Sequence, residues 1–520
     1  MLTKSILSKG KAMLAALGMT VVMGGCSDFL DIDPIHEAGE SQQWKTLEDT
    51  RSALMGIYGL MRAALVENNT HWACGDLRTG DFTVTEREDL RHIADNQLNL
   101  NDKIVDEICD WNRFYRVINA ANVFIERAPG IIGQDKAYSE ENLRYDVAQA
   151  RALRAISYFH IARIWGSAPL ITVSYDNGSF PLVAQSTQDE LIAYVKQELL
   201  EIAPVIPFQY GSSNSHYYQK EPDYWQGKLI NKVGIYALLS NICATLGNYA
   251  DVEAYTAYIL ANTSSIGIKN NYIPISDLVS TIGFFCGSQT KQAPHRFLSF
   301  NFIHKNNETT QRGHLEDWTL AYPYVPKRLP EIYVSKDRIL QLYNDSKDLR
   351  APIDTVTNLY ASEGFFDMNS AFPIFKKVNV VQDGNSKDGD YAVFGSSVSM
   401  SRIEDITLLR AEALTLLNKC NDAVASLNAI RMQRGLRMLD FKDDFNEDAV
   451  ALLNEVFNER RREFIGEGMN WYDLIRRQKL LRDDPEFLEL IENGGIYWPI
   501  SEKVMTENKL IKQNPYWATH

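Results

Sequence analysis

Residues 228–260, KLINKVGIYALLSNICATLGNYADVEAYTAYIL, contain the pattern that decides the fold. Apolar and alanine residues recur at helical spacing from Lys228 to Leu246 and again from Asp251 to Leu260. Gly247-Asn248-Tyr249 separates the two runs, and these residue types favour a turn. The segment therefore predicts two antiparallel helices joined by a short turn.

The same pattern returns near the C-terminus at Arg402–Leu417 and Asp422–Arg434, around Asn418-Lys419-Cys420. A helix, a short turn and a second helix form the repeating unit of tetratricopeptide proteins. Each such hairpin buries its apolar face only by stacking on neighbours. We therefore expect a mostly α protein with a tetratricopeptide-like helical hairpin scaffold.

Helical periodicity also divides the rest of the chain into parts. Further helices are predicted at 46–66, 103–127, 142–165 and 187–203, whereas residues 71–91 have the composition of a loop. Residues 265–398 lose the period, and only Lys336–Leu342 within them is clearly helical. These patterns predict a helical part at 44–264, an irregular, loop-rich, ligand-facing part at 265–398 and a second helical part at 399–520.

The N-terminus reads as an export signal. Three lysines precede an apolar run from Met13 to Met23, and about ten apolar residues are too few for a membrane span, which needs ~20. Gly24-Gly25-Cys26 then looks like the bacterial lipobox, in which the cysteine is acylated. We expect a signal peptide at 1–25 and an acylated Cys26 with an acidic tether at 26–43, which holds the protein on a lipid bilayer. An ordinary signal peptide with an incidental Cys26 is the alternative.

Charge and cysteine content exclude some classes of function. The chain has a formal net charge of −14, and removal of residues 1–25 with their three lysines would make it −17. This acidity argues against nucleic acid as a partner.

Five cysteines besides Cys26 are widely spaced without a metal or disulfide pattern. We expect buried single thiols, with a Cys74–Cys109 bridge as the alternative.

Aromatic side chains with polar neighbours are the candidate ligand contacts, because a ring covers the apolar face of a sugar while polar groups bind its hydroxyls. Many of the 25 tyrosines and 9 tryptophans are expected at the surface. The first cluster is Trp72, Asp76, Arg78 and Asp81, and the second is Arg312, Asp317, Trp318, Tyr322 and Tyr324. A third cluster consists of Tyr218, Tyr224 and Trp225, and contact with a partner protein is the alternative role for these residues. For every ring, packing within the fold is the other interpretation.

Catalytic chemistry finds little support in the sequence. Two acidic pairs, Asp76/Asp81 and Glu316/Asp317, have the residue types of a glycosidase, but 67 acidic residues make such pairs common by chance. His71, His216, His304 and His314 lack metal-ligand spacing, and no phosphate-binding or serine-hydrolase motif occurs. We expect no catalytic residues, no metal and no cofactor.

Seven ordered segments together resemble the SusD/RagB family of Bacteroidetes outer-membrane lipoproteins. They are residues 26–34 (CSDFLDIDP), 115–122 (YRVINAAN), 150–170 (RALRAISYF and a Gly-x-x-Pro-Leu stop), 335–350, 402–414 (RIEDITLLRAEAL), 459–474 and 497–515. Asn470 and a missing proline in 497–500 depart from the family pattern, and Met23 departs from the leucine that is usual in the lipobox. The charged residues at 459–463 are expected to cap or bridge neighbouring helices.

The resemblance implies a function that the residue patterns do not give. Members are surface lids, not enzymes, on a SusC-like TonB-dependent transporter of the outer membrane. They deliver glycans or, in the RagB branch, peptides, and often place ligand contacts in the N-terminal loop that holds Trp72. Because Arg78 also suits a peptide carboxylate, the RagB-like alternative stays open. A protein-binding tetratricopeptide scaffold and a surface glycosidase are more distant alternatives.

Overall fold

The structure is a computed structural model. It describes residues 44–100, 102–175, 181–211, 217–225, 227–268, 272–287, 296–354, 359–360, 364–382 and 392–519. The predicted signal peptide, Cys26, the tether and His216 lie outside these ranges.

Helices dominate the described residues, as predicted. The first helical part contains α1 (Leu47–Val66), α2 (Thr70–Gly75), α3 (Glu88–Ala94), α4 (Lys103–Cys109), α5 (Asn112–Arg127), α6 (Glu140–Ile164), α7 (Gln188–Ile202), α8 (Pro222–Trp225), α9 (Lys232–Thr245) and α10 (Tyr249–Ala261). The central part contains α11 (Ile275–Leu278), α12 (Leu315–Thr319) and α13 (Lys336–Leu342). The last part contains α14 (Ile403–Leu416), α15 (Cys420–Gln433), α16 (Phe441–Phe445), α17 (Ala449–Phe464), α18 (Asn470–Leu481), α19 (Pro485–Glu492), α20 (Glu502–Glu507) and α21 (Pro515–Thr519).

Strands are short and form antiparallel pairs. They are β1 (Thr83–Val84), β2 (Ala168–Pro169), β3 (Gln185–Ser186), β4 (Arg296–Phe300), β5 (Ile332–Tyr333), β6 (Ile353–Asp354), β7 (Leu359–Tyr360), β8 (Phe366–Asp367), β9 (Ile374–Phe375), β10 (Val381–Gln382), β11 (Val393–Phe394) and β12 (Val398–Arg402). The pairs are β1 with β5, β2 with β3, β4 with β12, β6 with β7, β8 with β9 and β10 with β11. Among the described residues of the central part, the strands span two to five residues and the α-helices four to seven.

The two predicted hairpins are present and stack on each other. Helices α9 and α10 form one, α14 and α15 form the other, and α10 packs on α14. Gly247 and Asn418 in the two turns have φ values of 73° and 58°, which glycine and asparagine tolerate best. Helices α6 and α7 pair in the same way. The tetratricopeptide-like scaffold is therefore confirmed.

Two local predictions are wrong. The segment 71–91, expected to be a loop, contains β1, most of α2 and the first half of α3. The single helix expected at 103–127 is divided into α4 and α5, because Asp110 is extended (ψ 100°) and its side chain accepts the Asn112 backbone N–H at 2.9 Å. Buried Trp111 lies at this break. Tertiary burial thus overrides the local pattern at both places.

The charged residues of α17 bridge helices, as predicted. Glu463, which is fully buried, accepts bonds from Arg402 at 2.9 Å and Arg434 at 2.7 Å. Arg460 binds Asp405 of α14 at 3.0 Å and Asp473 of α18 at 2.7 Å. Buried ion pairs of this kind depend on every partner being present. They hold the end of α17 against β12, α14, α15 and α18.

Most tryptophans belong to the core. Eight of the nine are at most 9% exposed, and Trp44 is partly buried against the same cluster. The expectation that many tryptophan rings lie at the surface is therefore wrong for this residue type. The five described cysteines are buried and form no disulfide with one another, which confirms the single-thiol prediction over the Cys74–Cys109 bridge.

Candidate functional site

The first candidate cluster lies inside the protein. Trp72, Asp76, Arg78 and Asp81 are between 1% and 6% exposed. The Trp72 indole N–H donates to the Gly466 carbonyl at 3.2 Å, and Asp76 accepts the Gly468 backbone N–H at 2.6 Å. Burial raises the pKa of Asp76 to about 8. These contacts join the N-terminal segment to the turn that follows α17.

Arg78 and Asp81 have partners within the chain as well. The Arg78 guanidinium donates to the Ile496 carbonyl at 2.9 Å and lies 4.2 Å from the centre of the Trp471 ring. Asp81 accepts from Arg338 at 2.8 Å and from Arg461 at 2.9 Å. All four side chains are thus engaged in the scaffold, and our candidate ligand surface is drawn from the second cluster.

Three members of the second cluster, Arg312, Asp317 and Trp318, line an open cleft of about 650 Å³, and Tyr322 and Tyr324 lie outside this lining. We call this space the Arg312 cleft. Its lining comes mainly from the end of α1 and from residues 302–318, and consists of Gly59, Arg62, Ala63, Val66, Glu67, Asn68, Asn69, Arg87, Ile104, Arg116, Phe302, Glu308, Thr310, Arg312, Gly313, Asp317 and Trp318. Its volume lies within the range of ~300–1,000 Å³ that is typical of ligand pockets.

Polar groups of both signs face this cleft. Arg62 and Glu308 form an ion pair at 2.6 Å with about a fifth to a quarter of each side chain exposed. The Arg312 side chain is exposed, and among the described residues no ion pair includes it. Burial raises the pKa of Asp317 to about 6, with a smaller opposing effect of Lys327. The cleft lining therefore contains both hydrogen-bond donors and acceptors.

Apolar groups form the rest of the cleft wall. The Arg62 guanidinium lies 5.8 Å from the centre of the buried Phe302 ring. Trp318 contributes to the lining although it is only 2% exposed, so its ring face is packed inside. Trp318 is therefore a wall residue here rather than an open stacking platform.

The two tyrosines of the second cluster differ in exposure. Tyr322 is 75% exposed and precedes Pro323 through a cis peptide bond. Tyr324 is half-buried, and its hydroxyl donates to Asp367 at 3.0 Å. The Lys327 ammonium donates to the Asp317 carbonyl at 2.7 Å and ties this loop to the cleft wall. Tyr322 is thus the freely accessible ring of the cluster.

The third cluster surrounds a buried carboxylate. Tyr218 and Trp225 are 4% and 5% exposed, whereas Tyr224 is 44% exposed. Asp146, with no exposed surface, accepts from the hydroxyls of Tyr138 at 2.9 Å, Tyr218 at 2.6 Å and Tyr217. Burial raises the pKa of Asp146 to about 6. Tyr218 and Trp225 therefore pack within the fold, and only Tyr224 faces solvent.

No sequence pattern identifies several of the residues that line the Arg312 cleft. Arg62, Asn68, Arg116, Phe302 and Glu308 come from three segments far apart in the chain. Asn68 and Asn69 have left-handed φ values of 55° and 54°, and asparagine is the non-glycine residue that tolerates this region best. The pair Asn68-Asn69 after an amphipathic helix was the one available hint.

Of the two acidic pairs considered for catalysis, only Asp317 lines the cleft. Glu316, adjacent to Asp317, is fully buried and accepts from the Ser396 hydroxyl at 2.7 Å. Asp76 and Asp81 are buried as described above. Within the described ranges, no group of three or more His, Cys, Asp or Glu side chains has metal-binding geometry. The arrangement supports binding chemistry through hydrogen bonds and apolar contact.

A second open cleft, of about 760 Å³, adjoins the first. We call it the Lys503 cleft. It is lined by Glu67, Asn68, Leu98, Asn99, Leu100, Asp106, Glu107, Cys109, Asp110, Arg113, Arg116, Pro499, Ile500, Ser501, Glu502, Lys503, Met505, Gln513 and Trp517. Lys503 binds Asp110 at 3.0 Å across it.

No helix of the described residues is both long and apolar enough to cross a membrane.

Comparisons with known proteins agree with this architecture. The SusD family sequence model (SusD_RagB) matches residues 368–517. The crystal structure of a SusD superfamily protein from Bacteroides thetaiotaomicron is 49% identical, with 92% of this chain and 100% of that chain covered and a TM-score of 0.84. SusD-like protein P38 of Formosa agariphila is 24% identical over 97% of this chain and 98% of that protein. A laminarin-binding SusD-like protein is 19% identical, covers 91% of this chain and 99% of its own length, and has the same fold at a TM-score of 0.66.

Proposed function

The chain belongs to the SusD family, and from that premise we propose that it is an outer-membrane surface lipoprotein that captures an oligosaccharide for a SusC-like TonB-dependent transporter. The observation that carries the proposal is the Arg312 cleft, where the exposed Arg312 and the partly exposed Arg62, Glu308 and Asp317 line the same space as the buried Phe302 and Trp318 rings. Sugar hydroxyls both donate and accept hydrogen bonds, and sugar C–H faces pack on apolar surface.

The contacts expected for a sugar come from the cleft wall and its rim. Arg312 donates to ring or hydroxyl oxygens, while Asp317 and Glu308 accept from hydroxyls. Tyr322, at 75% exposure on the loop that Lys327 ties to Asp317, supplies the stacking face. The laminarin-binding relative of similar fold is consistent with a glucan as one ligand class. Trp72, Asp76, Arg78 and Asp81 then position this surface through the scaffold.

Location and partners follow from the proposed lipid anchor. An acylated Cys26 after a signal peptide at 1–25 would hold the protein on the outer membrane, and the acidic tether at 26–43 would let it move over the transporter. We propose that the helical parts 44–264 and 399–520 support the ligand-facing part 265–398. The exposed Tyr224 is a candidate transporter contact. The protein acts by binding, without catalysis.

A RagB-like peptide ligand is the second candidate. Arg116 and Arg312 are exposed in the same cleft, and no ion pair among the described residues includes either. Unpaired guanidinium groups bind carboxylates in a bidentate manner. A peptide with a free C-terminus or acidic side chains would use them. The protein-only scaffold and the glycosidase have no comparable observation in their favour.

Calorimetric titration of the purified full-length protein tests the proposal. The probes are maltose-, cellulose- and laminarin-derived oligosaccharides and a mixed peptide pool. The proposal predicts binding of one glycan series, with at least a tenfold loss of affinity in Arg312→Ala and in Tyr322→Ala. Arg144→Ala, an exposed helical arginine away from both clefts, is the matched control and retains affinity. Binding of peptides alone would replace the glycan assignment with the RagB-like one.

A further inference from the structure

The Arg312 cleft and the Lys503 cleft share part of their walls. Glu67, Asn68 and Arg116 line both of them. The turn between α1 and α2 and Arg116 of α5 therefore border both open spaces, and we call this shared border the ridge. Each space alone has the volume of an ordinary ligand pocket, so the pair exceeds the needs of one small ligand.

We propose that the two clefts form one continuous groove, in which the Lys503 cleft is a second subsite for an extended oligosaccharide. This inference rests on the proposed function and defines its ligand as a chain long enough to cross the ridge. One end of the chain lies on the wall that carries Arg312. The other end lies against the C-terminal segment that carries Glu502 and Lys503.

The ridge has the features of a fixed contact point. Asn68 and Asn69 both adopt left-handed φ, a conformation that costs free energy and that surrounding contacts must hold in place. The buried Asn69 amide donates to the His314 carbonyl at 2.7 Å. The Glu67 carbonyl accepts from the Thr70 hydroxyl at 2.6 Å and from Arg113 at 2.9 Å. These bonds hold the turn while the Asn68 side chain faces the groove.

The chemistry on both sides of the ridge suits a hydroxyl-rich chain. Arg116, at the ridge, is exposed and lines both clefts. The second cleft adds the exposed Glu502 and Lys503, which supply an acceptor and donors. An oligosaccharide presents hydroxyls at every unit, so that each subsite finds partners whichever unit it receives.

Affinity as a function of chain length tests the inference. Calorimetry with the full-length protein would use the oligosaccharide series above, from two to eight units. We expect the affinity to rise at least tenfold between the shortest binding oligomer and the octamer. Equal affinity for short and long oligomers would overturn the inference but leave the proposed function standing. Failure of every oligomer to bind would overturn both.

Three variants separate the subsites. Glu502→Trp fills the Lys503 cleft and is expected to lower octamer affinity at least tenfold while affinity for the shortest oligomer is kept. Asn68→Gly keeps the left-handed turn but removes an amide that lines both clefts, so it is expected to weaken the binding of short and long oligomers alike. Glu486→Trp, another exposed first-turn glutamate outside both clefts, is the control and changes neither affinity. An equal loss for short and long oligomers in Glu502→Trp would contradict a separate second subsite.

Discussion

Gly75 and Gly468, from opposite ends of the chain, pack backbone against backbone. A Cβ atom on Gly75 would lie 2.0 Å from the Gly468 carbonyl oxygen, a distance at which the backbone itself would have to move. The Asp76 carboxylate accepts the Gly468 N–H beside this contact. The N-terminal segment and the turn after α17 are therefore fitted to each other with no room for a side chain.

Gly75→Ala is expected to destabilise the protein for this reason. Overpacking of a buried contact costs about 1–3 kcal/mol in unfolding free energy. Because the added methyl group would meet backbone rather than a flexible side chain, we expect a loss of about 3 kcal/mol or more. Denaturant unfolding measures the change. Gly130→Ala is the control, because a Cβ atom added there would meet no other atom within 4 Å. Equal stability of the two variants would contradict the close fit.

Glu463→Gln is expected to lower the free energy of unfolding by about 3–5 kcal/mol, the usual cost of breaking a buried ion pair. Arg434, Arg402 and Arg350 hold the pKa of Glu463 well below its ordinary value, against the opposing effect of burial. Its stabilising contribution is thus present above the unfolded pKa and is lost as the pH falls through the folded pKa. Glu48→Gln, in an exposed pair with Arg51, should cost less than about 1 kcal/mol.

Asp146 gives pH dependence of the opposite sign. Its folded pKa of about 6 lies above the unfolded value of 3.8, so that ionisation destabilises the fold as the pH rises between these values. Asp146→Asn removes this titration. Relative to the wild type, the variant should gain about 2–3 kcal/mol in unfolding free energy between pH 4 and pH 7. A pH-independent difference between the two proteins would show that Asp146 is not responsible.

Trp72→Ala is expected to destabilise the fold, whereas Tyr322→Ala is expected to weaken ligand binding. Trp72 is 3% exposed and its removal leaves a cavity, with an expected cost of about 3–5 kcal/mol in unfolding free energy. Tyr322 is 75% exposed, so its removal should change stability by less than about 0.5 kcal/mol while weakening the proposed ligand contact. Thermal unfolding and calorimetry on both variants compare the two effects. A stable, ligand-deficient Trp72→Ala protein would return the first cluster to the ligand surface.

The five described thiols should be unreactive in the folded protein. All are buried, and burial raises the pKa of Cys74 to about 12, which leaves almost no thiolate at mildly alkaline pH. A thiol-specific chromogenic reagent should detect them only after denaturation. Rapid reaction of any of them under native conditions would indicate local opening at that site.

The repeated hairpins made the scaffold predictable from the sequence, because helical periodicity and turn residues are local signals. The geometry of a binding surface is not local. Asp81 looked like a ligand contact beside Trp72, yet its partners Arg338 and Arg461 lie 257 and 380 positions away. Nothing near Asp81 in the sequence reveals that two arginines cover it.

The cleft beside the second cluster shows the same limit, because its two walls come from distant parts of the sequence. Arg312 and Asp317 border the cleft, and Tyr322 is exposed, but the opposite wall comes from the end of α1. Arg62 and Asn68 on that wall are ordinary residues of a helix and its turn until the fold brings them to Glu308 and Arg312. Long-range packing thus completes a cleft of which the sequence shows one side.

Titration of the full-length protein with oligosaccharides of two to eight units is the most direct test of glycan capture in the Arg312 cleft. The account predicts saturable binding of one glycan series, at least tenfold weaker in Arg312→Ala and unchanged in Arg144→Ala. Glycan binding that survives both Arg312→Ala and Tyr322→Ala undiminished would contradict it.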